Sequence, residues 1–216
     1  MTISQTIALD AMGGDFGPDV IVSGAAAAHA KLPSAHFLFF GDATVIAPVL
    51  NKHPSLKAVS TIIHTDKKIA SHDKPSTAIR NSKDSSMRLA IEAVAEGRAD
   101  SVVSAGNTGA LMALSKMILK TLPGIERPAI ASVFPTMNKP TVMLDLGANL
   151  ECDENVLVQF ALLGATYARV VMGIEKPTVG LLNVGTEDMK GHEEVRGASV
   201  ILSSVHFHGT YHGFVE

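Results

Sequence analysis

The 216-residue chain predicts an α/β fold, a three-layer α/β/α arrangement around a mostly parallel sheet. Three observations carry that expectation. Short β-branched apolar runs recur along the chain, and most end in Gly, Asn or Asp. Ala-rich or amphipathic stretches of helical period lie between most of them, as parallel strands joined by helical crossovers require. The composition, 46% hydrophobic with 5% aromatic and 18 Gly, suits an Ala/Val/Leu-packed core with many tight turns.

The strand candidates are 6–10 (TIALD), 37–42 (FLFFGD), 61–66 (TIIHTD), 101–106 (SVVSAG), 129–135 (AIASVFP), 141–147 (TVMLDLG) and 178–185 (TVGLLNVG). The helix candidates are 19–32, opened by Gly17-Pro18, then 76–97, 110–122, 153–173 and 193–204. Only a short link containing Met-Asn-Lys-Pro separates 129–135 from 141–147, so this pair is expected as a hairpin, which would make the sheet mixed. There is no repeat of 20–50 residues and no low-complexity segment, and residues 1–216 are expected to form a single domain.

Charge and composition exclude several classes. Lys+Arg total 18 and Asp+Glu 21, a net charge of −3, which argues against nucleic acid as a partner. A hydrophobic fraction of 46% excludes a disordered chain. The single cysteine, Cys152, allows neither an internal disulfide nor a Cys-based zinc cluster and suits a reducing compartment. MTISQTIALD lacks the features of a signal peptide, and the apolar stretch 157–174 carries Gln159 and Arg169 and reads as an amphipathic helix. The expectation is a soluble cytosolic protein.

In an open α/β sheet, ligands bind beyond the carboxyl ends of the strands, where helix N-termini also point. The unusual residues of this chain fall there. Ser104-Ala-Gly-Asn-Thr-Gly109 runs from a strand into a strong helix former, so Gly106, Asn107, Thr108 and Gly109 suit a phosphate, or else a plain capped turn. Asp10-Ala-Met-Gly-Gly-Asp15 follows the first strand. Its Asp10, Gly13, Gly14 and Asp15 form a Gly-rich acidic turn that matches neither a GxGxxG fingerprint nor a Walker A loop. Asp145-Leu-Gly-Ala-Asn149 supplies Asn149, a neutral donor and acceptor. Gly185-Thr-Glu-Asp-Met-Lys-Gly191 places Lys190 where it can swing over a site and neutralise an oxyanion, with Glu187 to orient it. At helical spacing Arg80, Lys83 and Asp84 share a face, either a solvated surface or a contact for phosphate or an acidic carrier protein. Two acids follow Cys152 and would raise its pKa, so it reads as structural. His206, His208 and His212 have no acid close by, and no metal site is expected.

Taken together these motifs resemble the phosphate acyltransferase family known as PlsX. The resemblance rests on ALDAMGGDFGPD (8–19), the run from 75 to 100, VSAGNTGALMA (103–113), PGIERPAI (123–130), LDLGAN (144–149), LVQFALLG (157–164) and LLNVGTEDMKG (181–191). Two departures stand out. The family usually has an acidic residue where Thr186 stands, and its members continue past Glu216 with a DGFTGN-type motif, so the chain is expected to lack the C-terminal part of the domain.

The resemblance implies transfer of a long-chain acyl group from acyl carrier protein to inorganic phosphate, without a cofactor, to give acyl phosphate for phospholipid synthesis. It implies a fold similar to isopropylmalate dehydrogenases and phosphotransacetylases, a homodimer, peripheral membrane association and a PlsY-type membrane acyltransferase as partner. The roles it suggests are phosphate binding by 106–109, positive charge from Lys190, orientation by Asn149 and Asn183, and a carrier-protein face at Arg80 and Lys83. Other classes remain open: a phosphotransacetylase acting on small acyl-CoA, a dehydrogenase of the related fold, or a truncated chain that binds carrier protein without turnover.

Overall fold

The computed structural model describes residues 4–73, 75–137 and 139–216. It divides into two compact units, Met1–Lys120 and Thr121–Glu216. In the first, β1 (Thr6–Asp10), β2 (His36–Gly41), β3 (Ser60–His64) and β4 (Ser101–Ser104) form one parallel sheet in the order β3-β2-β1-β4. The alternation of side chains along β1 explains the layering. Leu9 faces Val22 and Ala25 of α1 (Pro18–Lys31), Ile46 of α2 (Ala43–Leu50) and Leu56 of α3 (Pro54–Ala58). Ala8, one residue away and on the opposite face, packs with Phe40 and with Ala90 and Ala93 of α5 (Ser86–Ala95). Met87 and Ile91 of α5 also meet Ala78 of α4 (Pro75–Arg80) and Ala110 and Leu114 of α6 (Thr108–Leu119). Helices therefore cover both faces of a parallel sheet, as expected.

In the second unit, β5 (Ser132–Phe134) and β6 (Thr141–Met143) pair antiparallel as the expected hairpin, in a two-stranded sheet of their own. Asn138, in the predicted link, lies outside the described residues. A second small sheet pairs β7 (Thr178–Leu182) parallel to β8 (Thr210–Val215). Leu181 of β7 packs on Ala198 and Leu202 of α8 (Glu193–Ser204) and on Leu157 and Ala161 of α7 (Glu154–Met172). Asp153 caps α7, its Oδ1 accepting from Val156 N–H at 2.9 Å, and Gly173 ends it in the left-handed conformation. Among the described residues α7 alone is long and apolar enough to cross a membrane by length and composition, and it packs against α8, β6 and β7.

The structure corrects the sequence reading in several places. The predicted helix 76–97 is two helices, because Asp84 sits at φ 63° and Ser85 caps α5 instead of continuing a helix. Thr65 Oγ1 donates to the Asp84 carbonyl at 2.6 Å and Lys67 Nζ pairs with its carboxylate at 3.1 Å, so contacts from β3's end hold the break. Strands 101–106, 141–147 and 178–185 stop at Ser104, Met143 and Leu182, which leaves Gly106, Gly147 and Gly185 in the loops. Helices α2 and α3 and strand β8 were not expected: Pro48 inside α2, Pro54 opening α3, and Gly209 before β8 with Gly213 inside it disguise them.

Candidate functional site

In the first unit the chemistry gathers beyond the carboxyl ends of β1 and β4. Asp10 and Ser104 are register partners on adjacent strands, and Ser104 Oγ donates to Asp10 Oδ2 at 2.7 Å. Gly106 N–H donates back to Ser104 Oγ at 3.0 Å. Gly13 lies against this pair so closely that a Cβ would stand 2.6 Å from Asp10 Oδ2 and 2.9 Å from Gly106 N. Gly14, at φ 84°, crosses the backbone of Ala105 in the same way. The two Gly-rich turns are thus packed face to face, which only bare backbone allows. Asp15 is exposed and accepts from Ser71 Oγ at 3.3 Å.

Asn107 caps α6, its Oδ1 accepting from Ala110 N–H at 2.9 Å. Its Nδ2 donates to the carbonyls of Ser71 and Asp73 at 3.0 and 2.8 Å. The side chain is therefore fully engaged within the protein and acts as a clamp. The donors left at the helix start are the N–H groups of Thr108 and Gly109, which have no partner among the described residues. Together with the positive end of the helix dipole they suit an anion.

In the second unit Asp145 organises the loop after β6. Its Oδ1 accepts from Ile130 N–H at 2.7 Å and its Oδ2 from Asn149 N–H at 2.7 Å. Asn149 Nδ2 donates to Asp145 Oδ2 at 3.1 Å and to the Pro128 carbonyl at 2.9 Å, so its amide protons are committed and its Oδ1 remains the available atom. Burial first, then the charge of Asp145, pushes the nearby Cys152 thiol up, with Arg127 partly opposing, so a thiolate is disfavoured as expected.

The loop after β7 closes on itself. Asn183 Nδ2 donates to the Lys190 carbonyl at 3.0 Å, Lys190 N–H to the Glu187 carbonyl at 2.9 Å, and a Cβ at Gly191 would collide with the Asn183 amide. Lys190 Nζ lies 3.6 Å from Glu187 Oε1, with the two side chains 53% and 66% exposed. Glu187 and Lys190 thus form a loose surface pair, with the lysine side chain about half in solvent. The Arg80 and Lys83 face needs correction. Arg80 ends α4 and Lys83 lies in the segment before α5, so both are exposed but they do not share a helical face with Asp84. Among the described residues no three or more His, Cys, Asp or Glu side chains gather as a metal site.

Sequence reasoning left Ser104, Ser71 and Asp73 without roles, although they hold Asp10, Asp15 and Asn107 in place. Ser104 had a readable signal, a hydroxyl closing a strand directly before Ala-Gly-Asn. Ser71 and Asp73 had none, because they reach Asn107 through backbone carbonyls and Ser71 meets Asp15 from 56 residues away.

The fold has solved counterparts. EutD phosphotransacetylase from Staphylococcus aureus superposes with a TM-score of 0.70 at 18% identity, over 99% of this chain and 69% of its own. A phosphotransacetylase from Streptococcus pyogenes gives 0.71 at 17%, over 99% and 68%. At such identities the likeness shows the fold. The family follows from sequence: the family model described as "Fatty acid synthesis protein" matches residues 5–216, and the chain belongs to that family. Its relatives include the phosphate acyltransferases of Paramagnetospirillum magneticum, 52% identical over 100% of this chain and 62% of that protein, and of Rhodospirillum centenum, 57% identical over 97% and 59%. A third, from Caulobacter vibrioides, is 53% identical over 100% and 60%. The chain spans about three fifths of the length of these curated relatives.

Proposed function

We propose that this chain carries phosphate-binding and acyl-transfer residues of an enzyme that moves a long-chain acyl group from acyl carrier protein to inorganic phosphate, for phospholipid synthesis. The observation that supports it most is the pair of N–H groups, Thr108 and Gly109, without a partner among the described residues, at a helix start clamped by Asn107 and packed on a second Gly-rich turn. Family membership and the names of the relatives point the same way.

Phosphate is a dianion near neutral pH and needs no protein nucleophile. The Thr108 and Gly109 N–H groups, on the loop that Gly106 and Asn107 shape, hold it in position, which replaces a bimolecular encounter by an oriented one. A phosphate oxygen attacks the thioester carbonyl, the C–O bond forms, and the carbonyl electrons collect on a tetrahedral oxyanion. Lys190 supplies positive charge to that oxyanion, while Asn149 and Asn183 orient the reactants. Collapse breaks the C–S bond, the electron pair leaves on sulfur, and the carrier thiolate takes a proton from solvent.

Arg80 and Lys83, both exposed, offer separate cationic contacts to the acidic carrier protein. By the same reading the enzyme is a homodimer in the cytoplasm, touches the membrane peripherally, uses no cofactor, and passes acyl phosphate to a membrane acyltransferase.

The test is release of free carrier protein from palmitoyl carrier protein by the purified chain, with and without inorganic phosphate. Phosphate-dependent release is expected. Release from acetyl-CoA but not from the carrier thioester would replace this reading by a small-acyl phosphotransacetylase. No release from either by a folded chain would leave a binding chain without turnover.

A further inference from the structure

We infer that Asp10 is a positioning residue, acting through Ser104 to set the conformation of the loop that presents the Thr108 and Gly109 N–H groups. The inference rests on the phosphate reading of that loop and adds what holds it in shape. Asp10 closes β1 and Ser104 closes β4, directly opposite in register, so both side chains leave the sheet on one side. Ser104 has a single hydroxyl proton. The carboxylate takes it at 2.7 Å, which turns an oxygen lone pair towards Gly106 N–H at 3.0 Å and closes residues 104–106 into a tight bend. Asn107 follows at once, already aimed at its cap and at the carbonyls of Ser71 and Asp73.

Two further observations separate this from ordinary packing. Asp10 is only 1% exposed, and its Oδ1 has no hydrogen-bond partner among the described residues. A buried carboxylate with one bare oxygen is an expensive way to fill a strand end, and a neutral residue of similar size serves stability as well or better. What a neutral, apolar residue does not do is fix the direction of the Ser104 hydroxyl. The glycines agree: a Cβ at Gly13 would press on Asp10 Oδ2 and Gly106 N together, and one at Gly106 would meet Met87 Cε at 2.9 Å. The bend is thus held from three sides, and the carboxylate is its one charged contact.

The experiment is amide hydrogen exchange of residues 104–110 in the unaltered chain, Ser104→Ala and Ser104→Thr, each with and without inorganic phosphate. Ser104→Ala removes both hydrogen bonds while leaving the carboxylate, and Ser104→Thr keeps the hydroxyl. Exchange in Ser104→Ala is expected to be about tenfold faster in this segment, and its protection by phosphate to need about tenfold more phosphate. Ser104→Thr should follow the unaltered chain, and β2 and α1 should stay slow in all three. Unchanged exchange in Ser104→Ala, or loosening spread through the whole first unit, would overturn the inference. If phosphate protects none of the chains while the Ser104→Ala difference persists, the relay stands and the phosphate reading of the loop falls.

Discussion

The two Gly-rich turns at 10–15 and 104–109 contrast with the loop at 183–191. Side-chain hydrogen bonds in the first pair span 94, 36 and 34 residues of sequence, and those spanning 94 and 34 are half-buried. In the second, the Asn183 side chain reaches seven residues to the Lys190 carbonyl, and the Lys190–Glu187 pair reaches three. One is a rigid cradle whose useful donors are backbone N–H groups. The other is a short closed loop with a long, solvated side chain. The difference suits the two tasks proposed for them. Holding an anion benefits from donors that need not reorganise, whereas a lysine that meets charge only in the transition state must be able to move.

The largest expected effect that would break this comparison belongs to the exposed loop. Lys190→Ala should lower kcat on the order of 10²–10³-fold, the usual loss when one oxyanion donor is removed. Its melting temperature should stay unchanged, because an exposed pair at 3.6 Å contributes little to folding. Steady-state release of carrier protein and a thermal melt on the same samples check both halves. Undiminished turnover would remove Lys190 from the reaction.

A smaller effect, in stability this time, should fall on the cradle. Asn107→Ala loses the α6 cap and leaves the Ser71 and Asp73 carbonyls unpaired, at about 2–3 kcal/mol. Asn183→Ala loses one bond to the Lys190 carbonyl and should stay within about 0.5 kcal/mol. Denaturant unfolding followed by circular dichroism measures the two side by side. Equal losses would mean that the loops are built alike after all.

The same contrast explains what could be read from sequence. The β1 run 6–10, the helix 193–204 and the hairpin were legible because each rests on a local signal: a β-branched run, an apolar period, a short link. The break at 81–85 was not, since Ser82 and Ser85 sit comfortably in a helical pattern until Thr65 and Lys67, brought in from the end of β3, capture Asp84. The glycines and the capping Asn107 marked the cradle. Its side-chain commitments did not show, because they depend on carbonyls more than 30 residues away. In the 183–191 loop the Glu187–Lys190 pairing was readable from its spacing, whereas the strand end at Leu182 and the Asn183–Lys190 bond were not.

The mildest test compares two caps within the first unit, one titratable and one neutral. Asp42 caps α2, its Oδ1 accepting from Thr44 Oγ1 at 2.7 Å and Thr44 N–H at 2.8 Å. The Thr44 hydroxyl first, and then its N–H, hold the Asp42 carboxyl below its ordinary value of 3.8. A group whose pKa falls on folding stabilises above its unfolded value and loses that contribution as the pH drops through the lower folded value. Amide protection at the start of α2 should therefore be constant from neutral pH down to about the ordinary carboxylate range and weaken below it, after correction for intrinsic exchange. The cap at the start of α6, the neutral amide of Asn107, should contribute no step there. Asp42→Asn should keep the α2 cap and abolish its step, since Asn caps as well as Asp but does not titrate. A step that survives in Asp42→Asn would assign the acid sensitivity of α2 to another group.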